Sequence, residues 1–192
     1  MQRSAWFVVP MAAALGCGVE AGSNAADEKK AEGKGVVVRM DGLQSRAPAD
    51  WKEEAPSNRM RYAQFRLPRV KGDEHDAELV IFKGLGGSAE ANIRRWKEQF
   101  QPPAGKTIDD IAKVEKIKVG DRPALYLDVR GTYLFKAQPF NPNAKAEQRP
   151  NSRMLAVHLD GKNDVYHIKL TGPANTVTHY KQGFDDWLKA FK

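Results

Sequence analysis

The sequence predicts an α+β fold, in which helices pack on a mainly antiparallel sheet. Two observations support this class. Segments with a strand-like alternation of apolar and polar residues follow one another along most of the chain. Two further segments, one in the middle and one at the C-terminus, carry apolar residues at helical spacing instead. The length of 192 residues and the lack of internal repeats indicate a single domain.

The first three predicted strands lie in the N-terminal half. The β-branched run at 36–38 begins the structure, and residues 60–67 (MRYAQFRL) alternate between apolar and polar side chains. This second strand ends at Pro68, because proline has no N–H to donate to a ladder. Residues 77–83 (AELVIFK) are predicted to form a buried strand. The charged segment 71–76 is expected to be a solvated turn, since its acidic residues lack the spacing of a calcium loop.

A helix is predicted directly after the glycine-rich turn at 84–87, with Ser88 as a suitable N-cap. Apolar residues at helical spacing then share one face: Ala89, Ile93, Trp96 and Phe100. The segment 84–89 also matches the glycine pattern of dinucleotide sites. However, the acidic residues at the required distance, Asp109 and Asp110, follow a turn instead of a second parallel strand. A turn with a helix cap is therefore the favoured interpretation, and no cofactor is predicted.

The C-terminal half is predicted to contain further strands and a closing helix. Residues 113–119 alternate, and residues 124–135 form the strongest strand of the chain. Residues 154–159 and 165–171 are predicted to form a hairpin around a turn at 160–163. The final helix carries one apolar stripe, formed by Val177, Tyr180, Phe184, Trp187, Leu188 and Phe191.

Residues 136–153 are predicted to form a long loop, because the segment is rich in proline and asparagine. Long loops without regular structure are uncommon in compact domains and are often functional. Basic residues on this loop are candidate contacts for an anionic partner: Lys136, Lys145, Arg149 and Arg153. Trp51, which follows Pro48 in a predicted turn, is a further candidate contact that lines a ligand groove. The alternative for Trp51 is a place in the core.

The N-terminus resembles a bacterial lipoprotein signal peptide. Arg3 is followed by an apolar run and by small residues directly before Cys17, the only cysteine. In such signals the cysteine is acylated on sulfur and becomes the new N-terminus. This interpretation predicts a signal peptide at 1–16, a lipid-anchored flexible tether at 17–34 and a single domain at 35–192. A secretory signal without a lipid and a buried thiol in an N-terminal helix are the alternatives.

The number and distribution of charged residues limit the kinds of partner that we expect. The chain has 31 basic and 24 acidic residues, and the basic residues are spread along it. This distribution suits an anionic surface and argues against a nucleic-acid groove. The expected partners are therefore the membrane, through the N-terminal lipid, and an anionic envelope component or envelope protein, with no nucleic acid. The expected location is exported, on the cell membrane or the outer membrane, facing the periplasm or the surface.

No recognised catalytic motif appears in the sequence. There is no Gly-x-Ser-x-Gly, no Ser-x-x-Lys and no His-Glu-x-x-His, and Cys17 is committed to the anchor. His158 and His167 are predicted to share a face of the hairpin in a diagonal offset, partly exposed. Two imidazoles alone are fewer ligands than zinc requires. We therefore predict no catalytic residues and no metal ligands.

Several segments resemble the Mog1/PsbP-like domains. These are PADW at 48–51, the strand at 60–67, the helix at 88–100 and FDDWLKAF at 184–191. The resemblance covers about residues 36–192 and implies an α-β-α sandwich. The sequence also resembles an uncharacterised bacterial family of exported proteins. Since Mog1/PsbP-like domains are mostly binding or assembly modules, the resemblance implies such a role without assigning functional residues.

The chain is accordingly expected to be a lipid-anchored, exported binding or accessory module without catalytic activity. The alternative is a cell-envelope hydrolase whose site the sequence does not reveal, which predicts convergent polar side chains with shifted pKa values in a pocket. A purely structural envelope protein is a third interpretation, and it predicts a stable oligomer without a ligand.

Overall fold

A computed structural model describes residues 35–137, 141 and 143–192. The predicted signal peptide, the tether and Cys17 lie outside the described residues. The described chain begins with five strands and a helix: β1 (Val37–Met40), β2 (Leu43–Arg46), β3 (Lys52–Glu54), β4 (Arg61–Leu67), β5 (Ala77–Lys83) and α1 (Ala89–Lys97). It continues with β6 (Phe100–Gln101), β7 (Ala112–Val119), β8 (Arg122–Phe135), β9 (Glu147–Asp160), β10 (Val165–Pro173) and α2 (Ala174–Lys189). Neither described helix has the length and apolar character needed to cross a bilayer.

Eight strands form one sheet in the order β3-β4-β5-β10-β9-β8-β6, with β7 also paired to β8. All of these pairings are antiparallel. β8 is 14 residues long, so it pairs with β7 along residues 122–129 and with β6 at Thr132 and Tyr133. β1 and β2 form a separate hairpin. The predicted α+β class with a mainly antiparallel sheet is confirmed.

α2 covers one face of the sheet with the apolar stripe predicted from its spacing. All six stripe residues are buried in one large core, although the last of them follows the end of the helix at Lys189: Val177, Tyr180, Phe184, Trp187, Leu188 and Phe191. The β9–β10 hairpin adds the side chains of one of its faces to the same core: Leu155, Val157, Tyr166 and Ile168. The β1–β2 hairpin closes this core, with Met40 buried in it. Burial of this apolar surface is the main stabilising contribution to the fold.

α1 covers part of the opposite face. The Ser88 hydroxyl accepts a hydrogen bond from the Ala91 N–H at 3.2 Å, so the predicted N-cap is confirmed. The helix ends at Lys97, before the predicted end, because Phe100 belongs to β6 and pairs with Tyr133 on β8. Phe100 nevertheless packs in the same cluster as the apolar residues of α1.

The charged segment 71–76 caps α2, and the prediction of a solvated turn is wrong for Asp73. The residue before α2 is a proline, which has no side-chain cap to offer. Asp73, which is 103 residues away from Thr176 in the sequence, provides the cap instead. Its Oδ2 accepts hydrogen bonds from the Thr176 hydroxyl at 2.6 Å and from the Thr176 N–H at 2.8 Å. These hydrogen bonds hold the pKa of the Asp73 carboxyl below its usual value. The segment therefore stabilises the start of α2.

Candidate functional site

The C-terminal part of the predicted loop 136–153 belongs to a long hairpin formed by β8 and β9. β8 and β9 are each 14 residues long and pair along most of their length. They extend past the last pair with β10, at Ser152, and past the last pairs with β7 and β6, at Val129 and Tyr133. Residues 147–153 belong to β9, so the predicted loop boundary is wrong. The composition of the segment favours a loop, but the backbone of residues 147–153 continues the β8–β9 ladder.

We define the basic arm as residues 133–137 and 143–150 at the end of this hairpin. Lys136 and Lys145 are both exposed on the arm. No carboxylate of the described residues forms an ion pair with either lysine. The arm therefore presents two positive charges that no described carboxylate offsets, beyond the main part of the sheet.

Arg149 is the third basic residue of the arm, and its position is fixed by two contacts. Its Nε donates a hydrogen bond to Glu147 Oε1 at 2.8 Å. Its guanidinium carbon lies 3.7 Å from the ring centroid of Phe135, a close cation–π contact. The hydrogen bond from Arg149 lowers the pKa of the Glu147 carboxyl. Arg149 is thus oriented, and its charge is largely offset by Glu147.

Arg153 is not a surface residue, and its prediction as a partner contact is wrong. It lies on β9, is 3 % exposed and points toward α2. Its Nε and Nη2 donate to the two carboxylate oxygens of Asp128 at 2.8 and 2.6 Å. Its Nη1 donates to the Thr178 hydroxyl at 2.8 Å. All of its donor groups face the interior of the fold, so none is available to a partner.

Trp51 does not line a groove, and its prediction as a partner contact is also wrong. The side chain is 4 % exposed. Its ring packs against Phe65, Phe184 and Trp187, at centroid distances of 6.2, 6.5 and 5.3 Å. The alternative interpretation, a core residue, is the one that the structure supports.

His158 and His167 lie under α1 as a buried cross-strand pair. They are directly opposite each other rather than diagonal, with ring centroids 5.1 Å apart, and each is 2 % exposed. Trp96 covers His167 at a centroid distance of 5.2 Å. Burial, followed by the neighbouring His158, lowers the pKa of His167 to about 4. Within the described chain, no group of three or more His, Cys, Asp or Glu side chains is arranged to hold a metal ion.

Lys169 follows on the same face of β10 and was missed in the sequence analysis. Its Nζ donates to Gln99 Oε1 at 3.0 Å and lies 5.9 Å from the ring centroid of Trp96. Burial lowers the pKa of Lys169 to about 8. The alternation of side chains along β10 could have identified this residue. Lys169 lies between the core residues Ile168 and Leu170, so its side chain lies on the opposite face of the strand, under α1.

Two open grooves flank β7, and neither is predicted from the sequence. The α1 groove, of about 530 Å³, lies between α1 and the β7–β8 strands and has an apolar floor of Ile93, Phe100, Val114 and Leu125. The α2 groove, of about 400 Å³, lies between α2 and β7 and is lined by Ile117, Tyr126, Leu188 and charged residues that include Lys118 and Lys181. The three-residue spacing of Val114 and Ile117 could have indicated both grooves, because it places one apolar side chain on each face of β7.

Comparison with known proteins finds similarity only at the level of structure. No protein-family model and no curated protein matches the chain. Among solved structures, the chain is similar to PsbP of the cyanobacterium Synechocystis, with 12 % identity and a TM-score of 0.47. That match covers 82 % of this chain and 89 % of that one.

Two other solved structures show a similar level of likeness. One is a Pseudomonas aeruginosa protein of unknown function, with 13 % identity, a TM-score of 0.45 and coverage of 82 % of this chain and 95 % of that one. The other is LpqN, a protein involved in cell envelope biogenesis of Mycobacterium tuberculosis, with 12 % identity, a TM-score of 0.46 and coverage of 78 % and 82 %. The neighbours include the PsbP class named by the sequence resemblance. At this identity the likeness concerns architecture and transfers no function.

Proposed function

We propose that this chain is an exported, lipid-anchored accessory module that binds an anionic component of the cell envelope through its basic arm and has no catalytic activity of its own. The observation that carries this proposal is the pair of exposed lysines Lys136 and Lys145, which pair with no carboxylate of the described residues and lie at the end of a hairpin that extends past its last pairs with β7, β6 and β10. A positive charge that no described carboxylate offsets is available to a negatively charged partner.

The arm suits an anionic surface for a second reason. Arg149 is held against Phe135, so its planar guanidinium loses little conformational freedom when a partner binds. Attraction between exposed charges is screened over about 8 Å at physiological ionic strength. Binding through the arm should therefore weaken steeply as the salt concentration rises.

The placement of the imidazoles under α1 supports a role without catalysis. His158 and His167 are enclosed, and a pKa of about 4 makes His167 a poor proton carrier near neutral pH. Lys169 is covered by Trp96 and bound to Gln99. These groups contribute to packing beneath the helix, and none of them lines the two grooves beside β7.

Charge reversal on the arm tests the binding proposal. We expect the chain to sediment with phosphatidylglycerol vesicles at low salt, and the variant Lys136→Glu with Lys145→Glu to lose this binding. The matched control is Lys52→Glu with Lys162→Glu, which changes the net charge equally at two exposed positions, one on β3 at the opposite edge of the sheet and one in the turn between β9 and β10. Equal loss in both double variants would show that binding follows net charge alone. Alginate, an acidic polysaccharide, serves as a second probe, to separate a lipid surface from a polysaccharide.

The anchor is tested separately by intact mass and detergent partitioning of the protein expressed in a bacterium. We expect a mass that matches acylated Cys17 and partitioning into the detergent phase, both lost in Cys17→Ser. An unmodified, water-soluble wild-type product would contradict the anchor and leave the proposal for the arm to stand on the vesicle experiment.

A further inference from the structure

β7 forms an open edge of the sheet. In the part of the chain that the structure describes, it pairs with β8 on one side and with no strand on the other. Most of its eight residues are exposed, and Val114, the third of them, is 41 % exposed. Because an antiparallel ladder uses only the N–H and C=O groups on one side of an edge strand, the outer side of β7 presents a row of unpaired backbone groups.

The side chains of β7 are complementary to a second copy of the same strand. Lys113 and Glu115 share one face of the strand and form an ion pair at 2.6 Å, while Val114 between them faces the α1 groove. Two copies that pair antiparallel about a two-fold axis perpendicular to the sheet bring the same faces together. When the axis passes through Val114, Lys113 of each copy lies opposite Glu115 of the partner subunit, and Val114 lies opposite the partner's Val114.

The neighbouring registers are unfavourable. An axis through Lys113, Glu115 or Lys116 places a charged side chain opposite its own copy. An axis through Ile117 places Lys116 opposite the partner's Lys118. Like charges directly opposite each other destabilise a pair of strands, whereas opposite charges and apolar pairs stabilise it. Of the registers with the axis between Lys113 and Ile117, only the one through Val114 avoids like charges opposite each other.

We propose that this chain forms a homodimer in which two β7 strands pair antiparallel with the two-fold axis at Val114. The pairing joins the two sheets and satisfies the outer backbone groups of both edges. Lys113 and Glu115 of each copy form a quartet of alternating charge with the partner's Glu115 and the partner's Lys113. Val114 is covered by the partner's Val114. The dimer goes beyond the proposed function, since it uses no residue of the basic arm.

Sedimentation velocity over a dilution series tests the dimer. The full chain carries Cys17→Ser, so that no acyl chain drives self-association. We expect a concentration-dependent dimer. Lys113→Glu and Glu115→Lys each create like-charge contacts at two symmetric positions, and each should raise the dissociation constant at least about tenfold. The double variant restores opposite charges in every pair and should restore the dimer.

The matched controls are Lys52→Glu and Glu53→Lys, two exposed reversals on β3 at the other end of the sheet. They should leave the dissociation constant unchanged. A monomer at every concentration overturns the proposal and means that the lysines keep this edge free of partners. A dimer that ignores both β7 reversals, or a double variant that stays monomeric, also overturns it.

A thiol crosslink tests the register directly. In the Cys17→Ser background, Val114→Cys is the only cysteine of the chain. Directly opposite residues of an antiparallel pair have Cα atoms about 4.5–5.5 Å apart, within the range that a disulfide spans. Val114→Cys should therefore form a covalent dimer under mild oxidation, whereas Lys116→Cys, opposite the partner's Ala112, should not. Equal crosslinking of the two variants, or none in either, overturns this register.

Discussion

Arg153 and Asp128 form a two-point ion pair between β9 and β8, beneath α2. The third donor of the guanidinium reaches the Thr178 hydroxyl on α2, so one buried cation connects two strands to the helix that covers them. The fork geometry of arginine matches a carboxylate with two parallel hydrogen bonds, which a lysine cannot reproduce. This pairing explains why a basic residue next to the arm contributes to stability rather than to binding.

Removal of Arg153 should be strongly destabilising. Arg153→Met leaves the carboxylate of Asp128 without its counter-charge under α2, and loss of one partner of a buried ion pair costs about 3 kcal/mol or more. Urea unfolding followed by circular dichroism measures this loss. Arg149→Met is the control, because an exposed ion pair contributes at most about 1 kcal/mol. Combining Arg153→Met with Asp128→Leu should recover part of the stability, and equal effects of the two arginine variants would contradict the assignment.

The cap that Asp73 provides for α2 should be measurable through stability and through pH. Asp73→Ala leaves the first N–H groups of α2 without this acceptor and should cost about 1 kcal/mol. The pKa of Asp73 is lowered in the folded state, so its contribution is complete above the unfolded pKa of about 3.9 and is lost as the pH falls through the lower folded value. Urea unfolding at neutral and acidic pH tests both statements. The neighbouring exposed residue provides a control variant, Glu74→Ala, which should change little.

Local periodicity predicted the elements better than it predicted their register. Alternation is a property of adjacent residues, so it predicts the strands at 124–135, 154–159 and 165–171. The hairpin turn was placed at 160–163, but Asp160 pairs with Val165, so the loop is shifted by one residue. That shift moves the partner of His158 by two positions and places His167 directly opposite it.

Long-range contacts account for what the sequence analysis missed. Nothing near Arg153 in the sequence indicates that Asp128, on the neighbouring strand, will bury it. An aromatic residue such as Trp51 has the same local sequence whether it enters the core or lines a groove. The grooves beside β7 depend on where both helices lie on the sheet, which no segment of the chain encodes alone.

The buried His167 should make stability depend on pH in the weakly acidic range. Its pKa of about 4 lies below the value of about 6.5 expected when unfolded, so the unfolded chain binds the proton first. The contribution of His167 to the free energy of unfolding should be constant above about pH 6.5. It should fall by at most about 1.4 kcal/mol per pH unit as the pH drops toward 4. Urea midpoints of wild type and His167→Phe over this range measure the difference. His179→Phe, at an exposed position, is the control, and parallel curves for wild type and His167→Phe would refute the assignment.

Two substitutions of Trp51 distinguish a role in the core from a role in binding. Because its ring contacts Phe65, Phe184 and Trp187, Trp51→Ala opens a cavity between the sheet and α2, and such truncations cost about 3–5 kcal/mol. Trp51→Phe keeps most of the ring contact and should cost clearly less. Urea unfolding ranks the two variants, and vesicle sedimentation of the folded Trp51→Phe protein should match wild type. Loss of vesicle binding with unchanged stability would instead return Trp51 to the role of a partner contact, which its burial among three aromatic rings opposes.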